Sequence, residues 1–209
     1  MILGRLFLQS AFVLFMGVDF MIELEQKIVT EGTVLEGNVL KVGSFLNQQL
    51  DVDFLMKLGE EINRIYKNDG VTKLLTVESS GIAVAVAAGA VMHLPVVFAK
   101  KNKSSNVSGD VYSANVHSYT HNKDYDIVVA REYLKATDKV VIIDDFLANG
   151  KALEGLIDIV KQAGASLVGA TCAIEKGFQG GGDRLREKGI RVESLAVIDK
   201  MSTDGITFR

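Results

Sequence analysis

Asp144 and Asp145 stand side by side after an apolar, β-forming run, Val140-Val141-Ile142-Ile143, and before Phe146-Leu147-Ala148-Asn149-Gly150-Lys151-Ala152. Such a run reads as a buried strand, and open α/β sheets bind ligands beyond the carboxyl ends of their strands. Two adjacent carboxylates repel unless a cation or hydroxyl groups lie between them, so the pair suits a divalent metal or a diol. Solvated acids ending a strand are the plainer alternative. Asn149 and Gly150 accept unusual dihedrals, which lets consecutive amides converge on an anion. A helical pattern begins directly after them, and a helix start presents N–H groups without intrahelical partners. Acids beside an anion cradle formed by Ala148, Asn149, Gly150, Lys151 and Ala152 point to a sugar phosphate.

Other segments fall beside this one when the chain is laid out as a sheet. Glu78-Ser79-Ser80-Gly81 follows a strand and precedes an uncharged helix, so its hydroxyls and amides suit a second phosphate. A serine N-cap would account for Ser80 alone. Lys100, Lys101 and Lys103 with Ser104 and Ser105 read as a solvated basic loop, or as a lid that neutralises a leaving anion. Lys176 follows a strand at the same edge, near Phe178, and Phe146 and Phe178 would suit a planar ring as well as core packing. Leu40–Gln48 lies outside the sheet pattern and carries Asn47, whose amide both donates and accepts; it reads as a cap or as ordinary packing.

The elements that position these groups alternate. Helices are expected over Glu23–Glu31, Val52–Lys67 and Ile82–Val91, and a further one carries Leu153, Leu156, Ile157 and Val160 to Gly164. Asp183–Lys188 gives a short helical turn. Strands are expected over Lys73–Val77, Pro95–Ala99, Lys139–Ile143, Ser166–Ile174 and Val192–Ile198. Lys100–Asp110 reads as a mobile loop, and Tyr112–Tyr119 with Asp126–Ala130 as an antiparallel pair at one edge. Strands alternating with helices predict an α/β fold with a mostly parallel sheet. Its strand-to-helix loops gather Glu78–Gly81, Lys100–Ser105 and Asp144–Ala152 along one edge.

A chain of 209 residues forms one domain with a sizeable core. A net charge of −3 argues against a broad nucleic-acid footprint. The single cysteine, Cys172, excludes an intrachain disulfide and reads as a buried, inert thiol, which fits a cytoplasmic setting. His93, His117 and His121 show no metal-ligand spacing and read as structural or exposed. Residues 1–20 differ from the rest: Arg5 is the charge before an apolar run from Ala11 to Val18, too short to span a bilayer. The run resembles a signal-peptide core, but Gly17-Val18-Asp19-Phe20 offers no small-x-small cleavage site. Residues 1–20 are expected to be an extension or start-site artefact ahead of Met21, with a packing element or a targeting segment as alternatives, and 21–209 to be the functional domain.

The segments Leu40–Asn47 (LKVGSFLN), Val77–Ile82 (VESSGI), Pro95–Lys101 (PVVFAKK), Val141–Gly150 (VIIDDFLANG), Val160–Ala165 (VKQAGA) and Arg191–Ala196 (RVESLA) together resemble the type I phosphoribosyltransferases, and within them the xanthine-using branch. The resemblance runs from Met21 to Phe208 and implies a small hood over the carboxyl edge of the sheet. It also implies phosphoribosyl transfer from phosphoribosyl pyrophosphate to N9 of xanthine, a need for Mg²⁺ near Asp144 and Asp145, and a homodimer. By resemblance the 5′-phosphate falls to Ala148–Ala152 and the ribose hydroxyls to Asp144 and Asp145. Glu78, Ser79, Ser80, Gly81 and Lys101 would face pyrophosphate, with Lys101 catalytic beside the two acids, and Leu40, Asn47 and Lys176 would contact the purine. Asn149-Gly150 replaces the wider family's Thr-Gly, a departure that the xanthine branch shares. The rival readings are a hypoxanthine-guanine or adenine transferase and a non-catalytic purine regulator that binds phosphoribosyl pyrophosphate.

Overall fold

A computed structural model describes residues 21–101, 110–118 and 123–209. Residues 1–20, the lid residues Lys103, Ser104 and Ser105, and His121 lie outside the described residues. The centre is an eight-stranded sheet. Its parallel part comprises β3 (Lys73–Val77), β4 (Val96–Lys101), β7 (Lys139–Leu147), β8 (Ser166–Lys176) and β9 (Val192–Ser202). The antiparallel pair β5 (Val111–Ser118) and β6 (Lys123–Ala130) extends one edge, as the sequence predicts, and β10 (Gly205–Phe208) closes the other. The order β10-β9-β8-β7-β3-β4-β6-β5 puts β3 and β7 in the middle. The apolar residues of those two strands are buried, save the partly buried Phe146 near the end of β7, as a parallel sheet covered on both faces requires.

Two layers of helix cover the sheet. On one face lie α2 (Val52–Tyr66) and α3 (Gly81–Met92). Asp51 starts α2 by accepting a hydrogen bond from the N–H of Phe54 (3.1 Å), and Leu55, Leu58 and Ile62 turn inward at helical spacing. Gly59 lets α2 lie against the backbone of α3, because a Cβ there would stand 2.6 Å from the Ala87 carbonyl oxygen. On the other face, α4 (Lys151–Gln162) buries Leu153, Leu156, Ile159 and Val160. The short α5 (Gly181–Glu187) follows β8 through a 3₁₀ turn, Gly177–Gln179.

A hood precedes the sheet: helix α1 (residues 21–31), the hairpin β1 (Thr33–Leu35) and β2 (Val39–Lys41), and a π-helical turn, Gly43–Asn47. Leu24, Ile28, Val42, Phe45 and Leu46 join one buried cluster with Phe54 and Leu58 of α2 and Leu195 and Ile198 of β9. The rings of Phe45 and Phe54 meet edge to face at 5.8 Å, and the Lys27 ammonium lies 5.3 and 5.2 Å from their centroids. These contacts fix the turn that carries Asn47.

The structure lengthens several expected strands. β7 runs through both acids to Leu147, β8 ends on Lys176 itself, and β4 includes Lys100 and Lys101, so these two lysines stand on a strand and not in the expected loop. The hairpin β1–β2 and strand β10 carry too short an apolar pattern to stand out in the sequence. His93 is exposed at the left-handed end of α3, and His117 pairs with Asp124 at 2.7 Å. Cys172 is buried, and burial pushes its thiol far above the ordinary range, as expected of an inert residue. Among the described residues no helix is long and apolar enough to cross a membrane.

Candidate active site

The ends of β3, β4, β7 and β8 meet along one edge of the sheet. Between β7 and α4, Gly150 takes a left-handed φ of 78° at the cap of the helix. Asn149 Oδ1 accepts from the Lys151 N–H (3.1 Å), and the Glu154 N–H closes the first helical bond on the Gly150 carbonyl (2.9 Å). Further N–H groups of the first turn lack intrahelical acceptors, the arrangement that suits a phosphate. The Lys151 ammonium is turned aside to Glu154, which also holds Lys188, each at 2.8 Å. Lys151 therefore offers this loop its backbone rather than its charge.

The acid pair sits before this loop. Asp144 is buried at 7% exposure, while Asp145 is half-buried. The Asp145 N–H donates to Asp144 Oδ1 at 3.0 Å. Burial first, and the Asp145 charge second, hold the Asp144 carboxyl well above the ordinary carboxylate range; Lys101 pulls the other way. Gly81 makes the room: a Cβ there would stand 2.8 Å from Asp144 Oδ1 and 2.5 Å from Thr76 Oγ1. The Thr76 hydroxyl is buried and finds no hydrogen-bond partner among the described residues.

Beside the acids, Glu78, Ser79, Ser80 and Gly81 join β3 to α3, and the Glu78–Ser79 peptide bond is cis. Glu78 does not present a bare carboxylate to the edge. It accepts from the Lys101 N–H, and its own N–H donates to the Ala99 carbonyl (3.0 Å), which ties this loop to the end of β4. Ser80 stands at the cap of α3 without a side-chain capping bond, so the N-cap explanation of this serine does not hold. The Lys101 ammonium lies 5.4 Å from the centroid of Tyr125.

The fourth group lies under the hood. Lys176 donates to the Asn38 carbonyl at 2.8 Å and stands 5.5 Å from the centroid of Phe146; burial lowers its readiness to carry charge. Asn47 Nδ2 reaches Asp145 Oδ2 at 3.5 Å, the outer limit of a hydrogen bond, across 98 residues of sequence. Leu40 is 6% exposed and belongs to the hood's buried cluster, and Phe178 is exposed. The site residues expected from the sequence thus fall into a phosphate loop, an acid pair, a serine loop with a lysine, and a hood pocket.

Asn38 and Arg184 are the site's two additions to those residues. Asn38 has a φ of 62° in the β1–β2 turn, and the Glu36-Gly37-Asn38 run between Leu35 and Val39 is its only signal in the sequence. Arg184 donates to the carbonyls of Asn149 (2.9 Å) and Gln179 (3.3 Å), a contact that no local pattern announces. Among the described residues no cluster of three or more His, Cys, Asp or Glu could hold a metal ion. The acid pair instead fits a hard cation that keeps most of its ligands from water and substrate oxygens, as Mg²⁺ does.

The family profile of the phosphoribosyl transferase domain matches residues 42–203. The xanthine phosphoribosyltransferase of Bifidobacterium longum is 52% identical over 190 residues, covering 90% of this chain and 98% of its own. That of Limosilactobacillus reuteri is 50% identical over 186 residues, covering 89% and 97%. Among solved structures, the adenine phosphoribosyltransferase of Trypanosoma brucei superposes with a TM-score of 0.70 at 17% identity, covering 85% of this chain and 78% of its own. That of Saccharomyces cerevisiae gives 0.69 at 17%, covering 85% and 99%. At these identities the structural likeness shows the fold alone.

The raised Asp144 carboxyl has a consequence for stability. The folded chain holds this proton more tightly than the unfolded chain, whose value is near 3.8. Stability therefore falls as pH rises from there toward the native value. Asp144→Asn keeps the shape and the acceptor oxygen without the charge. Its melting temperature at pH 8, without ligands, is expected to exceed that of the unsubstituted protein by ~2–4 °C per kcal/mol relieved. The gain should shrink toward pH 4; a lower melting temperature at pH 8 contradicts the assignment.

Proposed function

This chain belongs to the phosphoribosyl transferase domain family, and from that premise we propose that it transfers the 5-phosphoribosyl group of phosphoribosyl pyrophosphate to xanthine, giving xanthosine 5′-monophosphate and pyrophosphate. One observation carries the reading beyond the family. Asn47, on the hood, touches Asp145, and Lys176 lies over Phe146, the next residue of β7. A reaction that joins a base to C1′ of a ribose needs base-holding and ribose-holding groups in contact, and the Asn47–Asp145 contact supports that reading. The relatives near 50% identity that carry the xanthine name support the choice of base.

In this reading the amides of Ala148–Ala152 hold the 5′-phosphate. Asp144 and Asp145 hold the ribose hydroxyls. Ser79, Ser80 and Gly81 meet the pyrophosphate through amides and hydroxyls, and Glu78 keeps its own charge out of the way on the Lys101 amide. The bond from C1′ to the pyrophosphate oxygen breaks with its electron pair leaving on pyrophosphate. N9 of xanthine forms the new bond, and its proton passes to the departing pyrophosphate anion. Positive charge develops on the ribose next to the acid pair, and Lys101 faces the leaving anion. Positioning and fixed charges supply the catalysis. Mg²⁺, held by Asp144 and Asp145 together with substrate oxygens, would supply charge neutralisation for the departing pyrophosphate.

Base selection rests on the hood. Xanthine carries a carbonyl at C2 where guanine has an amine and hypoxanthine a hydrogen. The Lys176 ammonium and the Asn47 amide are donors that such an oxygen satisfies and a hydrogen leaves unpaired, an asymmetry on the order of 1–3 kcal/mol per buried donor. Leu40 would contribute an apolar wall. A lone buried Cys172 fits a reducing, cytoplasmic setting. The expected homodimer has a candidate face: α3 is apolar on every side, yet Val86 is 53% exposed, with Phe98, Leu50 and Val52 also exposed. An all-apolar helix is ordinarily covered all round.

Two outcomes are expected. Lys176→Ala should lower kcat/KM for xanthine ~10²-fold or more while shifting the KM for phosphoribosyl pyrophosphate little; equal losses on both substrates contradict the base-holding role. Sedimentation equilibrium should give twice the 22.7 kDa chain mass, and Val86→Glu should shift it toward the single chain; a single-chain mass for the unsubstituted protein contradicts the dimer.

A further inference from the structure

The structure assigns Arg184 as a positioning residue for the phosphate loop: its guanidinium fixes the Asn149–Gly150 peptide so that the N–H, and not the carbonyl, faces the 5′-phosphate. This rests on the reading of Ala148–Ala152 as the 5′-phosphate site.

The peptide needs fixing because its second residue is a glycine. Gly150 accepts either sign of φ at little cost, so the peptide before it is free to turn over by changes at Asn149 and Gly150. Turned over, it would point a carbonyl oxygen at the phosphate in place of an N–H donor. Carbonyl and N–H point in opposite directions across a trans peptide. Holding the Asn149 carbonyl therefore sets the direction of the Gly150 N–H.

Arg184 holds that carbonyl at 2.9 Å, and its other terminal nitrogen donates to the Gln179 carbonyl at 3.3 Å. The planar fork thus joins the end of the β7 loop to the turn after β8. The platform beneath is close-packed backbone: a Cβ on Gly181 would stand 2.2 Å from the Ala148 oxygen and 2.7 Å from both Asn149 C and Gly150 N. No residue larger than glycine fits there. The platform is also anchored. Arg186 pairs with both oxygens of the fully buried Glu175, at 3.0 and 2.7 Å, and Ser194 donates to the same carboxylate. Gly182 leaves the space that this carboxylate fills, since a Cβ there would lie 2.0 Å from Glu175 Oε1. Arg184 is itself exposed and stands on the far side of the carbonyl it holds, so its task is geometry rather than contact with the ligand.

The test uses Arg184→Met, which removes the fork, and Arg184→Lys, which keeps the charge but not the planar pair of donors. Ribose 5-phosphate binding is read by calorimetry, and steady-state kinetics with phosphoribosyl pyrophosphate and xanthine are read alongside. Arg184→Met is expected to weaken ribose 5-phosphate binding about tenfold, the loss of roughly one hydrogen bond to a charged group. The KM for phosphoribosyl pyrophosphate should rise similarly, with kcat and the KM for xanthine within about twofold. Arg184→Lys should lose at least half as much on the logarithmic scale. Unchanged binding in Arg184→Met overturns the inference. So does Arg184→Lys at full affinity, which would make charge alone sufficient, and so does a fall in kcat without a rise in KM. If the unsubstituted protein does not bind ribose 5-phosphate, the phosphate-site reading fails first and takes the inference with it.

Discussion

The site depends on one steric constraint, the wedge of Asp144 against the first residue of α3. β7 is central in the sheet and does not stop before its acids, so the Asp144 carboxylate is carried into the interior, where only a glycine at position 81 leaves it space. That contact sets the distance between β7 and the loop from β3 to α3. It also creates the electrostatic situation of the edge, a buried carboxyl that resists ionisation beside a more exposed one that does not share its burial.

Around that wedge the other groups are held by backbone more than by side chains. Glu78 is bound to the Lys101 amide, so the serine loop and the lysine strand move as one unit. Asn149 caps Lys151, and Gly181 lies flat against the loop behind it. Charged side chains near the phosphate loop, Lys151, Glu154 and Lys188, satisfy one another instead of reaching into it. The hood reaches the acid pair through Asn47 and Asp145, and relies on Phe45, Phe54 and Lys27 to hold its turn. The loop before α4 thus offers amides with fixed directions, while Asn47 and Lys176 bring side chains from the hood turn and the end of β8.

The parallel core is legible in the sequence because its strands are continuous apolar runs and α2 repeats its apolar residues at helical spacing. The chemistry-bearing loops are legible for a related reason: Asp-Asp, Ser-Ser-Gly and Asn-Gly-Lys each interrupt an apolar pattern at a strand-to-helix junction. Strand ends read too short at β7, β8 and β4, because polar residues at the edge of a sheet look like loop until their neighbours' pairing is known. The β1–β2 hairpin has three residues per strand, too few for periodicity to show. Arg184 and Asn38 are hidden for a different reason: each acts through a backbone carbonyl distant in sequence from its partner, and tertiary contacts of that kind leave no local pattern. The triple glycine at Gly180–Gly182 is plain in the sequence but silent there, since its meaning is the absence of Cβ atoms, at Gly181 against the Ala148–Gly150 loop and at Gly182 against the Glu175 carboxylate.

One sheet edge thus brings the acid pair together with Asn47 and Lys176, the arrangement on which the proposed transfer rests. The decisive measurement is the initial rate of nucleotide formation with xanthine, guanine, hypoxanthine and adenine in turn, each with saturating phosphoribosyl pyrophosphate and Mg²⁺. The highest kcat/KM is expected for xanthine, with hypoxanthine at least ~10-fold lower for want of the C2 oxygen. Turnover of hypoxanthine or adenine with none of xanthine would contradict this assignment of the edge.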